Sequence, residues 1–245
     1  MTTARSDRSG TRRRSRALEV QDEVKELIVR RRLSAGDPLP TESELVEELG
    51  VGRNAVREAL KALQAVGIVD IRHGFGMFVG RMSLIGLVDE LAFHGRITAG
   101  ERTGHLGHLI EIREALESGL VQLLIEGPAE PDCGPVDEVL ALMEAEAEAG
   151  MVSPETDKRF HDVLYHPLDN PLVGQLLGAF WDVYHQLRED LGEPDEPPHD
   201  VARKHRDIRN AVAAGDRAAA ATAMRAHFAG VRARLARLRK AQPSD

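Results

Sequence analysis

The chain has 245 residues, 42% hydrophobic and 29% charged, with a formal net charge of −8. That length leaves room for two domains, each able to bury a core. One cysteine, Cys133, excludes an intrachain disulfide and a thiolate metal cluster; with no apolar run suited to a signal peptide or membrane span, a cytoplasmic protein is expected.

Charge is unevenly spread: residues 1–81 sum to +3 and residues 82–245 to −11. A cationic N-terminal part suits a polyanion, and an acidic partner domain limits nonspecific adhesion to it. Residues 1–16 carry Arg5, Arg8, Arg12, Arg13, Arg14 and Arg16 with almost nothing apolar, so a disordered arm is expected. Val20, Val24, Leu27 and Ile28 then fall on one helical face over Ala17 to Arg32, ahead of the turn Gly36-Asp37-Pro38. Thr41 and Glu44 form a T-x-x-E capping box for a second helix carrying Leu45, Val46 and Leu49, which Gly50-Val51-Gly52 ends. A third helix starts near Arg53, buries Val56, Ala59, Leu60, Leu63 and Val66, and stops at Gly67. Two short strands, Ile68 to Arg72 and Met77 to Val79, enclose His73-Gly74-Phe75-Gly76. This order of elements predicts a winged helix-turn-helix over residues 17–81, whose third helix is presented to the major groove. Once its core positions are assigned, Arg53, Asn54, Arg57 and Lys61 remain on the outer face. Arg matches the paired acceptors of guanine, Asn can read adenine, and Lys meets phosphate.

The stretch resembles the DNA-binding domain of GntR-family bacterial transcription regulators. Gly36-Asp37-x-Leu39-Pro40-x-Glu42, Leu45, Leu49-Gly50-Val51-x-Arg53, Val56-Arg57-Glu58-Ala59-Leu60, Leu63, Gly67, Gly74 and Gly76 carry the likeness. It implies that Arg53 and Arg57 read bases or anchor phosphates and that His73 and Gly74, at the wing tip, approach the minor groove. Ser43 and Gly52 depart from the Arg and the Ser or Thr that many family members have there, so the operator cannot be copied from a relative.

Residues 82–241 are predicted to be wholly helical: Ser83 to Phe93, Gly107 to Glu126, Val136 to Glu148, Pro154 to Tyr165, Pro171 to Arg188, Asp200 to Ala214 and Asp216 to Lys240. The fold class is mainly α, a winged helix-turn-helix followed by an all-α antiparallel bundle. Asp157 and His161 stand four apart on one helical face, where a carboxylate and an imidazole can share a cation; His205 and His227 lie on two other helices. Three His and one carboxylate suit a divalent metal, zinc foremost, with nickel or manganese as alternatives. Solvated or hydrogen-bonded core histidines remain the competing explanation, and His105-x-x-His108 is a rival pair at helical spacing.

Asp157-x-x-Phe160-His161, then Asn170-Pro171, His205-x-x-Ile208, Gly215-Asp216 and Met224-x-x-His227-Phe228, with Arg113-x-x-Leu116-Glu117 before them, resemble the FCD ligand-binding domain of the FadR subgroup. That likeness implies a metal held by Asp157, His161, His205 and His227, and an effector site at the metal for a small carboxylate. It makes Arg113 the candidate clamp, against the alternative of an exposed ion pair with Glu117. Asn170 is a second effector candidate, or a cap for the next helix. His166-Pro167 is less typical of the family and is expected to end its helix early.

The whole predicts a homodimeric repressor that binds a short palindromic operator in double-stranded DNA and responds to a small organic acid. Two other classes compete: a metal-responsive repressor, and a metal-dependent hydrolase. The hydrolase lacks a placed general base of the H-E-x-x-H kind, and no enzymatic activity is expected.

Overall fold

The computed structural model describes residues 8–97, 102–127, 132–187 and 196–241, which divide between Gly86 and Leu87 into two compact units. The first holds α1 (Arg8–Arg30), α2 (Glu42–Leu49), α3 (Arg53–Ala65), β1 (Val69–Arg72) and β2 (Gly76–Val79). Val20, Val24 and Leu27 of α1 and Val56, Leu60 and Leu63 of α3 are buried in one core with Leu45, Val69 and Met77. Each such side chain contributes about 1.5–3 kcal/mol when fully removed from water.

The capping box forms as the spacing requires: Thr41 N donates to Glu44 Oε2 at 2.7 Å, and Glu44 N donates to Thr41 Oγ1 at 3.3 Å. β1 and β2 pair antiparallel with Val69 opposite Val79 and Arg72 opposite Gly76. The segment after α1 runs beside this hairpin, Gly36 N donating to Val79 O and Leu39 N to Met77 O, each at 2.8 Å. Gly80 must be glycine at the base of the wing, because a Cβ there would lie 1.9 Å from the carbonyl oxygen of Gly67.

α1 begins at Arg8 rather than Ala17, which corrects the expectation of disorder across residues 8–16. Arg is a good helix former, and extending a packed helix is cheap once its first turn exists. Residues 1–7, the rest of the expected arm, lie outside the described residues.

α4 (Ile85–Ile97) begins two residues before the division, and the second unit continues with α5 (Arg102–Glu126), α6 (Gly134–Glu148), α7 (Pro154–Tyr165), α8 (Pro171–Leu187), α9 (Pro198–Ala213), α10 (Arg217–His227) and α11 (Ala229–Ala241). The long α5 packs against α7, α8, α9, α10 and α11, while α6 packs against α7 and α9. Ser153 caps α7 by accepting from Thr156 N at 3.1 Å, with Pro154 at the first helical position. As His166-Pro167 implied, α7 stops at Tyr165 and passes into a short 3-10 turn, His166–Leu168. The helix expected from Asp216 to Lys240 is two helices: buried Phe228 ends α10, and Gly230 follows in the first turn of α11. Among the described residues no helix is long and apolar enough to cross a membrane.

Candidate DNA-reading face and metal centre

The buried side of α3, at Val56, Ala59, Leu60 and Leu63, leaves Arg53, Asn54, Arg57 and Lys61 exposed. Two of these cations are held by carboxylates: Arg57 Nε lies 2.8 Å from Glu42 Oε2, and Lys61 Nζ lies 3.4 Å from Glu58 Oε1. At the wing tip His73 and Gly74 are exposed, with Gly74 and Gly76 at φ 79° and 112°. Between them Phe75 stands 83% exposed, a side chain for which the sequence offered no functional signal beyond its place between two glycines. Arg72 is turned from the tip, its Nε 2.8 Å from Asp70 Oδ2 and its guanidinium 4.3 Å over the Phe78 ring.

In the second unit α7, α9 and α10 bring Asp157, His161, His205 and His227 together, with one ligand atom from each lying within 4.8 Å of the others. The ring centroids of His205 and His227 are 4.5 Å apart, and those of His161 and His227 5.0 Å apart. Nδ1 of His205 donates to the carbonyl oxygen of Val201 at 2.8 Å, so Nε2 faces the cluster. There Nε2 lies 2.9 Å from Asp157 Oδ1, near but out of line for a hydrogen bond. A proton on Nε2 would make this contact an ion pair, and a metal ion would bridge the two atoms; either accounts for their closeness. Nε2 of His161 is also buried without a hydrogen-bond partner. Buried polar atoms are seldom left unmade, and these point at one place, so the donor set fits a divalent ion.

The charge states suit that use. Burial alone would raise the Asp157 pKa, but the contact with His205 and the attraction of His161 and His227 hold it well below the usual carboxylate range. Burial, with His205 and His161 beside it, pushes His227 well below the ordinary imidazole value. An ionised carboxylate and a neutral imidazole are the forms that bind metal.

Asp157 and His227 open on a cavity of about 380 Å³ that Arg113, Trp181, Tyr184 and Lys204 also line. Arg113 is 6% exposed and its Nε donates to Glu117 Oε1 at 2.6 Å, so the pair with Glu117 exists but is buried, not a solvated surface contact. Its guanidinium carbon lies 5.5 Å from the Trp181 ring and 5.4 Å from the Phe228 ring. Oε2 of Glu117 lies 2.5 Å from His161 Nδ1. Burial opposes ionisation of Glu117, yet His161 and Arg113 outweigh it and bring its pKa down to about 2. The i,i+4 spacing of Arg113 and Glu117 showed that the pair could form; its burial was not visible in it.

Asn170 is placed elsewhere. Its Oδ1 accepts from Leu172 N at 3.1 Å at the start of α8, and it lines a second cavity, of about 470 Å³, with Lys158, His161, Tyr165 and Asp169. It is not among the residues lining the Arg113 cavity. His105 and His108 sit on α5 and do not enter the one cluster of potential metal ligands found among the described residues.

Residues 16–79 match the family of bacterial regulatory proteins named gntR, and residues 108–230, half of the chain, match the FCD domain. The chain belongs to the GntR family. The HTH-type transcriptional repressor NanR of Edwardsiella tarda is 28% identical over 214 residues, covering 86% of this chain and 82% of that protein. The HTH-type transcriptional regulator LutR of Bacillus subtilis is 30% identical over 204 residues, covering 81% and 91%. The solved structure of Streptococcus agalactiae GntR superposes with a TM-score of 0.66 at 26% identity, over 89% of this chain and 99% of that one. This GntR-family protein is a DNA-binding transcription regulator with a helical FCD domain, and its relatives are regulators rather than enzymes.

Proposed function

We propose that this GntR-family regulator is a homodimeric repressor whose affinity for a short palindromic operator is set by a small organic acid bound at a metal centre in its FCD domain. The observation that carries the reading is the convergence of Asp157, His161, His205 and His227 beside Arg113, with Asp157, His227 and Arg113 lining one cavity. A nitrogen-rich set with one carboxylate favours zinc, with nickel or manganese as alternatives. Bound there, a divalent ion supplies a Lewis-acidic position for a carboxylate or hydroxyl oxygen. Arg113, fixed at Nε by Glu117, keeps its terminal nitrogens for a paired contact with the acid's carboxylate. Sugar acids, keto acids and amino acids carry the required oxygens.

On DNA, Arg53, Asn54, Arg57 and Lys61 form the groove-facing set, and His73 and Gly74 bring the wing tip to the minor groove. The acid alters operator affinity only by as much as it binds one state of the protein better than another.

A thermal-shift screen of metal-replete protein against small organic acids tests the reading, since a ligand of the folded state raises the melting temperature. A saturable hit that also changes operator affinity supports it. Operator binding that follows metal occupancy with no responding acid replaces it with a metal sensor.

A further inference from the structure

We infer that Glu117 is a positioning residue that joins Arg113 and His161 into one unit, so that a carboxylate on Arg113 and a metal ion on His161 strengthen each other's binding. The inference rests on the metal reading above and concerns a residue outside the ligand set. Glu117 sits on α5, fully buried, with its two oxygens against two different partners: Oε1 accepts a hydrogen bond from Arg113 Nε at 2.6 Å, and Oε2 lies at ion-pair distance, 2.5 Å, from His161 Nδ1 without hydrogen-bond alignment. The hydroxyl of Tyr165 donates to the Glu117 backbone carbonyl at 3.2 Å, fixing the same turn of α5. A buried carboxylate is costly unless paired, and Arg113 alone would pair it. The second oxygen instead meets the ring nitrogen of His161 opposite the one offered to the cluster.

The two histidines that show their anchoring differ in a way that matters. His205 is oriented by a backbone carbonyl, a fixed dipole. His161 is oriented by an anion whose other oxygen belongs to the side chain facing the cavity. A carboxylate behind a metal-binding histidine orients the ring and makes it a stronger donor. When an acid occupies the terminal nitrogens of Arg113, that guanidinium draws less on Glu117, and Glu117 polarises His161 more. The acid therefore tightens the metal, and by reciprocity the metal tightens the acid.

The test uses the full chain, stripped of metal, titrated with Co²⁺ against a competing chelator, with and without saturating acetate. Glu117→Gln should weaken Co²⁺ by about 10- to 100-fold and shift its visible absorption bands. Because that change strands Arg113 in a buried site, the double variant Arg113→Gln/Glu117→Gln, a neutral amide pair of similar size, is measured beside it. Acetate should tighten Co²⁺ about fivefold or more in the wild type and lose that effect in the double variant. Wild-type Co²⁺ affinity and bands in the double variant, or equal tightening by acetate in both proteins, overturn the inference. Failure of the wild type to bind Co²⁺ removes the metal reading itself, and this inference with it.

Discussion

The carbonyl oxygen of Val201 lies 2.8 Å from Nδ1 of His205, one turn further along α9. A carbonyl can only accept, so the proton is on Nδ1 and the opposite nitrogen is turned to Asp157. This local helix contact decides the tautomer of a residue whose other nitrogen belongs to a site assembled from α7, α9 and α10. Metal-binding histidines are commonly oriented in this way.

Replacement of His205 and His227 together by Ala should abolish stoichiometric metal, because it removes two of the four converging donors and leaves only Asp157 and His161 on α7. Elemental analysis of protein freed of loose ions measures it. Full metal retention would move the site elsewhere.

Stability should fall as pH drops, in two stages. The folded pKa of His227 lies well below its ordinary 6.5, so below that pH the unfolded chain takes up a proton that the folded one refuses. Glu117 adds stability that is complete above its ordinary 4.5 and is lost as pH falls toward about 2. Asp157, also depressed, is lost in the same direction from 3.8 downward. Protons compete with metal at the same groups, so the metal-bound protein should lose melting temperature faster than the metal-free one. Thermal melts at falling pH, with and without zinc, are decisive: a melting temperature that holds or rises from neutral pH to the acid side contradicts the assignment.

Much of this architecture is visible in local chemistry. The T-x-x-E box at Thr41 and Glu44 and the left-handed Gly67 after α3 act over a few residues, so short patterns report them. The four clustered donors are partly legible: Asp157 and His161 share a helical face by spacing, whereas the arrival of His205 and His227 depends on how α9 and α10 pack against α5. Glu117 shows the limit. An Arg and a Glu four apart are most often a solvated pair, and only burial of that turn under α7 and α8 makes them an internal one. Asn170 shows another, since residues near one another in a motif were divided by the fold between two cavities.

Arg57→Ala should weaken operator binding by about 1–3 kcal/mol if Arg57 makes a bidentate base contact. Glu42 holds Arg57 at 2.8 Å in an exposed pair, and such pairs contribute under about 1 kcal/mol, so Arg57 can leave it for DNA at little cost. Glu42→Gln should therefore strengthen binding slightly. Competition binding on an operator selected from random duplexes by the wild-type chain distinguishes the two variants, and unchanged affinity and specificity in Arg57→Ala removes it from the recognition set.

Arg113→Lys should weaken the acid by about tenfold while metal remains stoichiometric. Three features of Arg113 depend on the planar guanidinium: Nε donates to Glu117 at 2.6 Å, its carbon lies 5.5 Å from the Trp181 ring and 5.4 Å from the Phe228 ring, and its terminal nitrogens remain for a ligand. A lysine ammonium keeps the charge but is a point donor on a flexible stem, so it can meet Glu117 or a bound carboxylate and cannot hold both in fixed geometry. The four metal donors stay in place on α7, α9 and α10. Calorimetric titration of the acid found in the thermal-shift screen, with parallel metal analysis, separates the two effects. Undiminished acid affinity in Arg113→Lys would show that charge alone serves, and that the clamp is not a bidentate one.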